Sequence, residues 1–301
     1  MRSLKKANGY ALMGGLILAS ILVVVVFADH LPLRPPLQWH KLLIREDGMV
    51  VVPPFKPGNG FVLGSDYMGR DVLSRLIYGA RLTLPIALSV ALARMVLGVV
   101  LGGLAAFLPG WIAGRIKDFT KISTGIPALL FATIFLWVIR PWATGDQVES
   151  AFWFALILGL TGWGRTADLI RRRIDTLLGR PFIEAAVAAG ANRWRILVKH
   201  ITPHLSTTII IGLVLEAAQS LIMLGQLALF GIVAGGYQMF SNSSDRPYIV
   251  TYQPEWGTML MKSVESVWSH PHLFLYVAVA FFITILGFNL LGEGLRRKWE
   301  G

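Results

Sequence analysis

Long apolar stretches alternate with polar segments along the chain. Six stretches hold almost no charged residues, and they lie at 10–28, 80–108, 122–139, 151–164, 205–234 and 273–291. A helix needs about 20 apolar residues to cross the hydrocarbon core of a bilayer. Most of the stretches approach or exceed that length, and the fourth does so when its flanking residues are included. The pattern therefore predicts an all-α polytopic membrane protein with six transmembrane helices.

The first apolar stretch has two interpretations because basic residues precede it. A secretory signal peptide has an apolar region of about 7 to 15 residues, whereas a membrane span needs about 20. The stretch at 10–28 is longer than a signal region, so we favour a retained helix. The small-residue ending Val26-Phe27-Ala28 leaves cleavage open as the alternative.

The alternation of apolar and polar segments divides the chain into three parts. Residues 1–28 form an N-terminal tail and the first transmembrane helix. Residues 29–79 form an extracytoplasmic segment that is rich in proline. Residues 80–301 form a core of five transmembrane helices, and they include a long polar loop at about 165–204.

Two local elements are expected within the extracytoplasmic segment. The β-branched run Val50-Val51-Val52 predicts a short strand. Near the end of the segment, helical spacing of apolar residues predicts an interfacial helix with Asp66 or Ser65 as its N-cap.

Charge fixes the predicted orientation. The chain has 54% hydrophobic and only 15% charged residues, with a net charge of +11. If the N-terminus is cytoplasmic, this whole positive excess falls on the inner segments, as the positive-inside rule requires. Both termini and the loop at 165–204 are therefore predicted to be cytoplasmic. Inner loops beside anionic lipid account for the charge, so no nucleic-acid partner is expected.

Motifs for covalent chemistry are absent from the sequence. It contains no phosphate-binding P-loop, no H-E-x-x-H, no G-x-S-x-G and no dinucleotide fingerprint. There is no cysteine for a disulfide or a thiolate metal site. His200 and His204 lack a third ligand, and so do His270 and His272. We therefore predict no catalytic residue, metal site or cofactor in this chain.

Two ionisable residues lie within predicted spans. An unpaired charge costs several kcal/mol at that depth, so Arg94 and Glu216 are candidate functional residues that could pair with each other. The alternative is that the edges of the spans are misjudged, or that one residue faces water without a role.

The polar loop carries an ordered motif between residues 184 and 203. Its alanine-rich start favours a helix, Gly190 permits a tight bend, and Asn192 can cap a second short helix. Two short helices at an angle would give a rigid projection that a partner's groove could grip. The residues expected to make this contact are Glu184, Ala185, Ala186, Gly190, Ala191, Arg193, Trp194, Arg195 and Pro203.

Glu184-Ala-Ala, Gly190 and the His200-Ile-Thr-Pro ending resemble the signature loop of the permease subunits of ABC importers. The branch that the chain resembles is the C-type subunit of dipeptide and oligopeptide importers, which also includes nickel importers. Further matching segments are Gly64-Ser65-Asp66, Gly69 to Arg75, Tyr78 to Arg81, Pro254 to Leu260 and Asn289 to Arg296. Together these matches cover most of the chain.

The resemblance implies a type I ABC importer permease in the bacterial cytoplasmic (inner) membrane. Its partners would be a second homologous permease, two ATP-binding subunits that hold ATP and Mg²⁺, and an extracytoplasmic binding protein that delivers di- or oligopeptides. Glu184 would fix the first coupling helix, by capping it or by pairing with an arginine, and Ala185 and Ala186 would permit close packing.

Some features leave alternatives open. His200 and Thr202 depart from the general family pattern, and residues 226–252 form an insertion on the substrate side that could contact the binding protein or have no role. The same architecture also imports nickel, metallophores or glutathione. A secondary transporter would need ion-coupling carboxylates in mid-membrane, for which Glu216 alone is thin support.

Overall fold

Helices dominate the computed structural model, which describes residues 2–44, 50–58, 60–108, 110–139, 147–236, 238–241, 247–250 and 253–300. The helices are α1 (Arg2–Val26), α2 (Val72–Phe107), α3 (Gly110–Gly125), α4 (Ala128–Ile139), α5 (Gln147–Gly159), α6 (Trp163–Leu178), α7 (Pro181–Ala188), α8 (Arg193–Arg195), α9 (Thr202–Leu229), α10 (Trp256–Val264) and α11 (Pro271–Glu300). A 3-10 turn (Phe27–His30) follows α1, and a π-helical segment (Ile196–Ile201) joins α8 to α9. Strands β1 (Leu43–Ile44) and β2 (Val50–Val51) form one antiparallel hairpin, and β3 (Gln238–Ser241) and β4 (Pro247–Val250) form another.

Among the described residues, four helical stretches are long and apolar enough to cross a membrane. They are Asn8–His30, Val72–Phe107, Arg193–Leu229 and Pro271–Trp299. Asn8–His30 and Pro271–Trp299 contain the first and sixth apolar stretches of the sequence, and Val72–Phe107 covers the second to within one residue. Arg193–Leu229 covers the fifth stretch only as far as Leu229, five residues short of its predicted end at 234. The all-α membrane class predicted from the apolar pattern is confirmed.

The third and fourth apolar stretches are not straight spans. α3 and α4 meet at 84° around Pro127, and they make one further span if the bent pair is counted together. Proline lacks an amide N–H and disfavours helical geometry in the residue before it, so the helix breaks there. The fourth stretch is predicted to reach residue 164, but α5 ends at Gly159 and the chain turns at Gly162, whose φ is +79°. The prediction of unbroken helices over 122–139 and 151–164 is therefore wrong.

Small residues allow the long helices to approach closely. A Cβ on Gly14 of α1 would lie 2.6 Å from the carbonyl oxygen of Gly287 on α11. On α2, Gly98 packs against Thr166 of α6, and a Cβ on Gly102 would lie 2.5 Å from the Ala167 carbonyl oxygen. Such contacts stabilise helix pairs in membranes, where the lipid is as apolar as the side chains. They fix α1 on α11 and α6 on α2.

Two clusters of buried apolar side chains hold the helices together. The larger one joins α2, α5, α9, α10 and α11, and Val90, Phe154 and Leu224 are almost fully buried in it. The smaller one joins α6 and α7 to the start of α9. The smaller cluster supports the polar loop that the sequence singled out.

The predicted interfacial helix is the beginning of α2. That helix starts at Val72 and runs without interruption into the second apolar stretch. Its N-cap is Asp71, whose Oδ2 accepts a hydrogen bond from the Ser74 amide at 2.7 Å. The prediction of Asp66 or Ser65 as the cap is wrong, because Asp66 closes the turn that precedes the helix.

The short strands and the insertion agree only partly with expectation. The strand predicted at 50–52 is present as β2. No strand is predicted within the insertion at 226–252, yet it contains the β3–β4 hairpin. Its residues 237, 242–246 and 251–252 lie outside the described part of the chain.

Candidate functional site

The amphipathic helix α6 leads into the polar loop. Ile170, Ile174 and Leu177 are buried on one side of it. On the other side, Asp168 accepts hydrogen bonds from Arg171 at 2.8 Å and from Arg172 Nε at 2.7 Å. These bonds, that of Arg172 most strongly, lower the pKa of Asp168 below its usual value. The ion pairs tie one helical turn to the next on the exposed face.

The first helix of the loop, α7, ends in a Schellman motif. The Gly190 amide donates to the Val187 carbonyl at 2.9 Å, and the Ala191 amide donates to the Ala186 carbonyl at 3.0 Å. Gly190 has a φ of +79°, the left-handed conformation that this motif requires. The motif gives a local reason for glycine at position 190.

A capped helix begins directly after the bend. The Asn192 side chain accepts a hydrogen bond from the Arg195 amide at 2.7 Å, which is an N-cap interaction. Only four residues separate α7 from α8, so the two helices form a short, well-defined corner. We call residues 181–203 the elbow.

The sequence predicts that the second helix of the elbow is short and separate, and this prediction is wrong. α8 continues through the π-helical segment into α9, so that residues 193–229 form one helical stretch. Pro203 cannot donate a backbone hydrogen bond, and the hydroxyl of Thr202 donates to the Leu197 carbonyl at 2.9 Å just before it. A displacement of the elbow would therefore act directly on α9.

The outer surface of the elbow combines apolar and basic side chains. Trp194 is 71% exposed between the exposed residues Arg193 and Arg195, and Val187 of α7 is 55% exposed. Such an apolar surface next to positive charge is typical of a protein-binding site. No described residue covers it.

The structure does not support two of the expected roles on α7. The Glu184 side chain is exposed and makes no hydrogen bond or ion pair with any described residue, so neither the expected cap nor the expected arginine pair is present. Ala185 is also exposed rather than packed. Ala186 is half-buried, and its carbonyl takes part in the Schellman motif.

The two ionisable residues of the spans lie together. Nη1 of Arg94 is 3.6 Å from Oε2 of Glu216, and their side chains are 3% and 13% exposed. Arg94 also donates to the Leu158 carbonyl at 3.0 Å, and the Thr166 hydroxyl donates to Glu216 at 3.0 Å. Glu216 is near the midpoint of α9, about 20 Å from either end at 1.5 Å per residue.

A cavity of about 330 Å³ opens beside this pair, and we call it the mid-span cavity. It lies where the α3–α4 break, the start of α6 and α9 meet. Polar residues of its lining include Ser123, Thr124, Arg165, Gln219 and Gln226.

Sequence reasoning missed most of this cavity. From the sequence, Arg165 counts only as one of the positive charges of the loop at 165–204. In the structure, Arg165 lines the cavity. Gln219 and Gln226 follow Glu216 by three and ten residues, so all three lie on one face of α9. This helical spacing of polar residues within an apolar stretch is the signal that could have revealed it.

A buried ionic turn explains one of the matching segments outside the elbow. Asp66 accepts hydrogen bonds from the amides of Met68 at 2.9 Å and Arg70 at 3.0 Å, and from Arg70 Nε at 2.7 Å. Nε of Arg75, which is almost fully buried, lies 3.5 Å from the same carboxylate. The segment fixes the turn from which α2 begins.

A buried glutamate explains a second matching segment, Pro254 to Leu260. Glu255 caps α10 by accepting from the amides of Gly257 and Thr258, each at 2.7 Å, and it also accepts from the Thr83 hydroxyl at 3.2 Å. The Trp256 indole donates to the Leu76 carbonyl at 2.8 Å. These bonds dock α10 on α2.

The family model for the "Binding-protein-dependent transport system inner membrane component" matches residues 98–298. The matched region includes the elbow and all of α6 to α10. The chain belongs to this family. The membership confirms the resemblance to ABC importer permeases and the predicted inner-membrane location.

Curated relatives resemble the permease over most of its length. It is 29% identical to the glutathione transport system permease protein GsiD of Pectobacterium atrosepticum, over 80% of this chain and 72% of the relative. It is 26% identical to the dipeptide transport system permease protein DppC of Alkalihalophilus pseudofirmus, over 97% and 85%. It is 29% identical to the di/tripeptide transport system permease protein DppC of Pseudomonas aeruginosa, over 96% and 88%.

Proposed function

We propose that this chain is a transmembrane subunit of an ATP-driven importer for short peptides. Dipeptides, tripeptides and glutathione, which appear in the names of the relatives, share peptide bonds and charged termini. Short peptides are therefore the cargo class that the relatives have in common. Nickel or a metallophore is the alternative cargo that the same architecture serves.

The proposed topology has six membrane crossings with both termini in the cytoplasm. The bent pair α3–α4 would supply the third crossing, and α5 together with the start of α6 the fourth. This arrangement places the elbow in the cytoplasm, where the excess of positive charge belongs. It places β1–β2, β3–β4 and α10 outside, next to the binding protein.

ATP would be hydrolysed by partner subunits, since the sequence contains no P-loop. We propose that two ATP-binding subunits dock on the elbow of this permease and on that of a second, homologous permease. The observation that carries this proposal is the elbow itself, a rigid corner with an exposed Trp194 that is continuous with a spanning helix. Closure of the ATP-binding subunits would tilt α9 and switch the path between inward-open and outward-open states.

Affinity purification of the tagged permease from its native membrane tests this function. Recovery of a second permease and of ATPase activity with the tagged chain is expected. Replacing Trp194 and Arg195 by alanine should reduce the recovered ATPase activity while leaving the second permease bound. A solitary protein that is indifferent to ATP would overturn the proposal.

A further inference from the structure

The mid-span cavity has one positive charge that the structure does not neutralise. Its ionisable lining residues are Arg94, Arg165 and Glu216, which leaves an excess of one positive charge. Arg94 is buried, donates to the Leu158 carbonyl and faces Glu216. Arg165 is exposed, and its side chain makes no hydrogen bond or ion pair with any residue that the structure describes.

The position of Arg165 does not stabilise its own helix. It lies in the first turn of α6, where a positive charge opposes the helix dipole. Gly162, at the N-cap of α6, provides no side-chain cap and also lines the cavity. A residue that breaks a local rule beside a polar cavity is a candidate for ligand contact.

The neighbouring face of α9 is unsuited to lipid. Gln219 and Gln226 are exposed on it and line the same cavity. An amide side chain in hydrocarbon loses its hydrogen bonds to water, at a cost of several kcal/mol. This face therefore borders a water-filled path, as polar residues within spans generally do.

We propose that the mid-span cavity binds the C-terminal carboxylate of a short peptide as it crosses the membrane. Arg165 receives the carboxylate, for which a planar guanidinium offers paired N–H donors. Gln219 hydrogen-bonds the adjacent peptide group. The volume of about 330 Å³ is that of a small-ligand site. This inference rests on the proposed peptide-import function and names the site for it within the permease.

The absence of cysteine from the chain allows a direct test of water access. Ser123→Cys places a single thiol in the lining of the cavity with little change in shape. Leu92→Cys is the matched control, since Leu92 is 55% exposed on the apolar surface of α2. In the assembled transporter, a membrane-impermeant methanethiosulfonate reagent should label the Ser123→Cys variant at least tenfold faster than the control variant. Equal, slow labelling of both would overturn the inference.

Protection by peptide tests the ligand. Alanyl-alanine should slow the labelling of the Ser123→Cys variant. The C-terminal amide of the same dipeptide should give equal protection only at about tenfold higher concentration, as expected for the loss of one charge-assisted hydrogen bond. Adding Arg165→Gln should remove this difference. Adding Arg115→Gln, at an exposed arginine of α3 outside the cavity, should leave it intact. Equal protection by acid and amide, or a difference that survives Arg165→Gln, would overturn the proposal.

Uptake by the unmodified transporter separates this inference from the function on which it rests. If the wild-type assembly imports alanyl-alanine but Arg165→Gln leaves the preference for the free acid unchanged, the carboxylate site alone is wrong. If the wild-type assembly imports no peptide, the proposed function is wrong, and the carboxylate site falls with it.

Discussion

Gly190→Val tests whether the backbone geometry of the elbow is needed for transport. Gly190 has a φ of +79°, and a Cβ there would meet no atom within 4 Å. The penalty is therefore conformational rather than steric contact with neighbours. The left-handed conformation costs a non-glycine residue roughly 1–2 kcal/mol, and a β-branched residue more. A penalty of about 2 kcal/mol would reduce the population of the observed bend about 30-fold relative to alternatives.

The matched control is Gly190→Asn, because asparagine adopts the left-handed conformation with little strain. Both variants add a side chain in open space, so only the backbone strain differs. We expect Gly190→Val to abolish peptide uptake by whole cells while its level in the membrane stays normal, and Gly190→Asn to retain most uptake. Normal uptake with valine would refute the requirement for the bend. Equal loss with valine and asparagine would show that bulk at this surface matters instead.

Three further predictions concern stability of the purified permease. Arg94→Met should destabilise it by about 3–5 kcal/mol in thermal unfolding because Glu216 is left unpaired, and adding Glu216→Met should recover part of the loss. If the single and the double variant lost equal stability, that result would argue against pairing. Glu255→Ala should loosen α10 by removing its cap, at about 1–2 kcal/mol, so that trypsin cleaves faster at Lys262 than in Glu255→Gln; unchanged cleavage would contradict this docking role. Asp168 has a lowered pKa when folded, so its stabilisation is present above its unfolded pKa of about 3.9 and is lost as pH falls through the folded value. Asp168→Asn should therefore lower the melting temperature at pH 7, and this difference should shrink as pH falls through the lowered folded pKa of Asp168. A pH-independent difference would exclude this ion-pair mechanism.

The apolar pattern predicted the helical class well, because crossing a bilayer demands long runs of apolar residues that few other constraints imitate. It failed where a run contains a breaker. Pro127 lies within an apolar run that hydropathy treats as continuous, yet α3 and α4 meet there at 84°. Gly162 ends another run in the same way. Local backbone chemistry, rather than hydrophobicity, decides these positions.

The sequence predicted the bend of the elbow, but it did not predict that α8 continues into α9. Gly190 and Asn192 carry local signals for a bend and a cap, and both act as expected. The continuity of α8 with α9 depends on the π-helical segment before Pro203, which has no simple sequence signal.

Long-range polar contacts could be predicted only in outline. Arg94 and Glu216 stood out because charge is rare within apolar stretches, and the structure places them 3.6 Å apart. Arg165 did not stand out because it adjoins a polar loop that contains many other arginines. The Glu255–Thr83 contact joins residues that are far apart in sequence, so only the packing of α10 on α2 reveals it.

Uptake by the purified assembly in proteoliposomes decides whether this permease works by coupling to ATP hydrolysis. We predict that labelled alanyl-alanine accumulates only when ATP is present on the side of the elbow and the binding protein is on the opposite side. Dissipating proton and sodium gradients should leave this accumulation unchanged. Accumulation without ATP, driven by either ion gradient, would contradict the coupling role of the elbow and identify a secondary transporter instead.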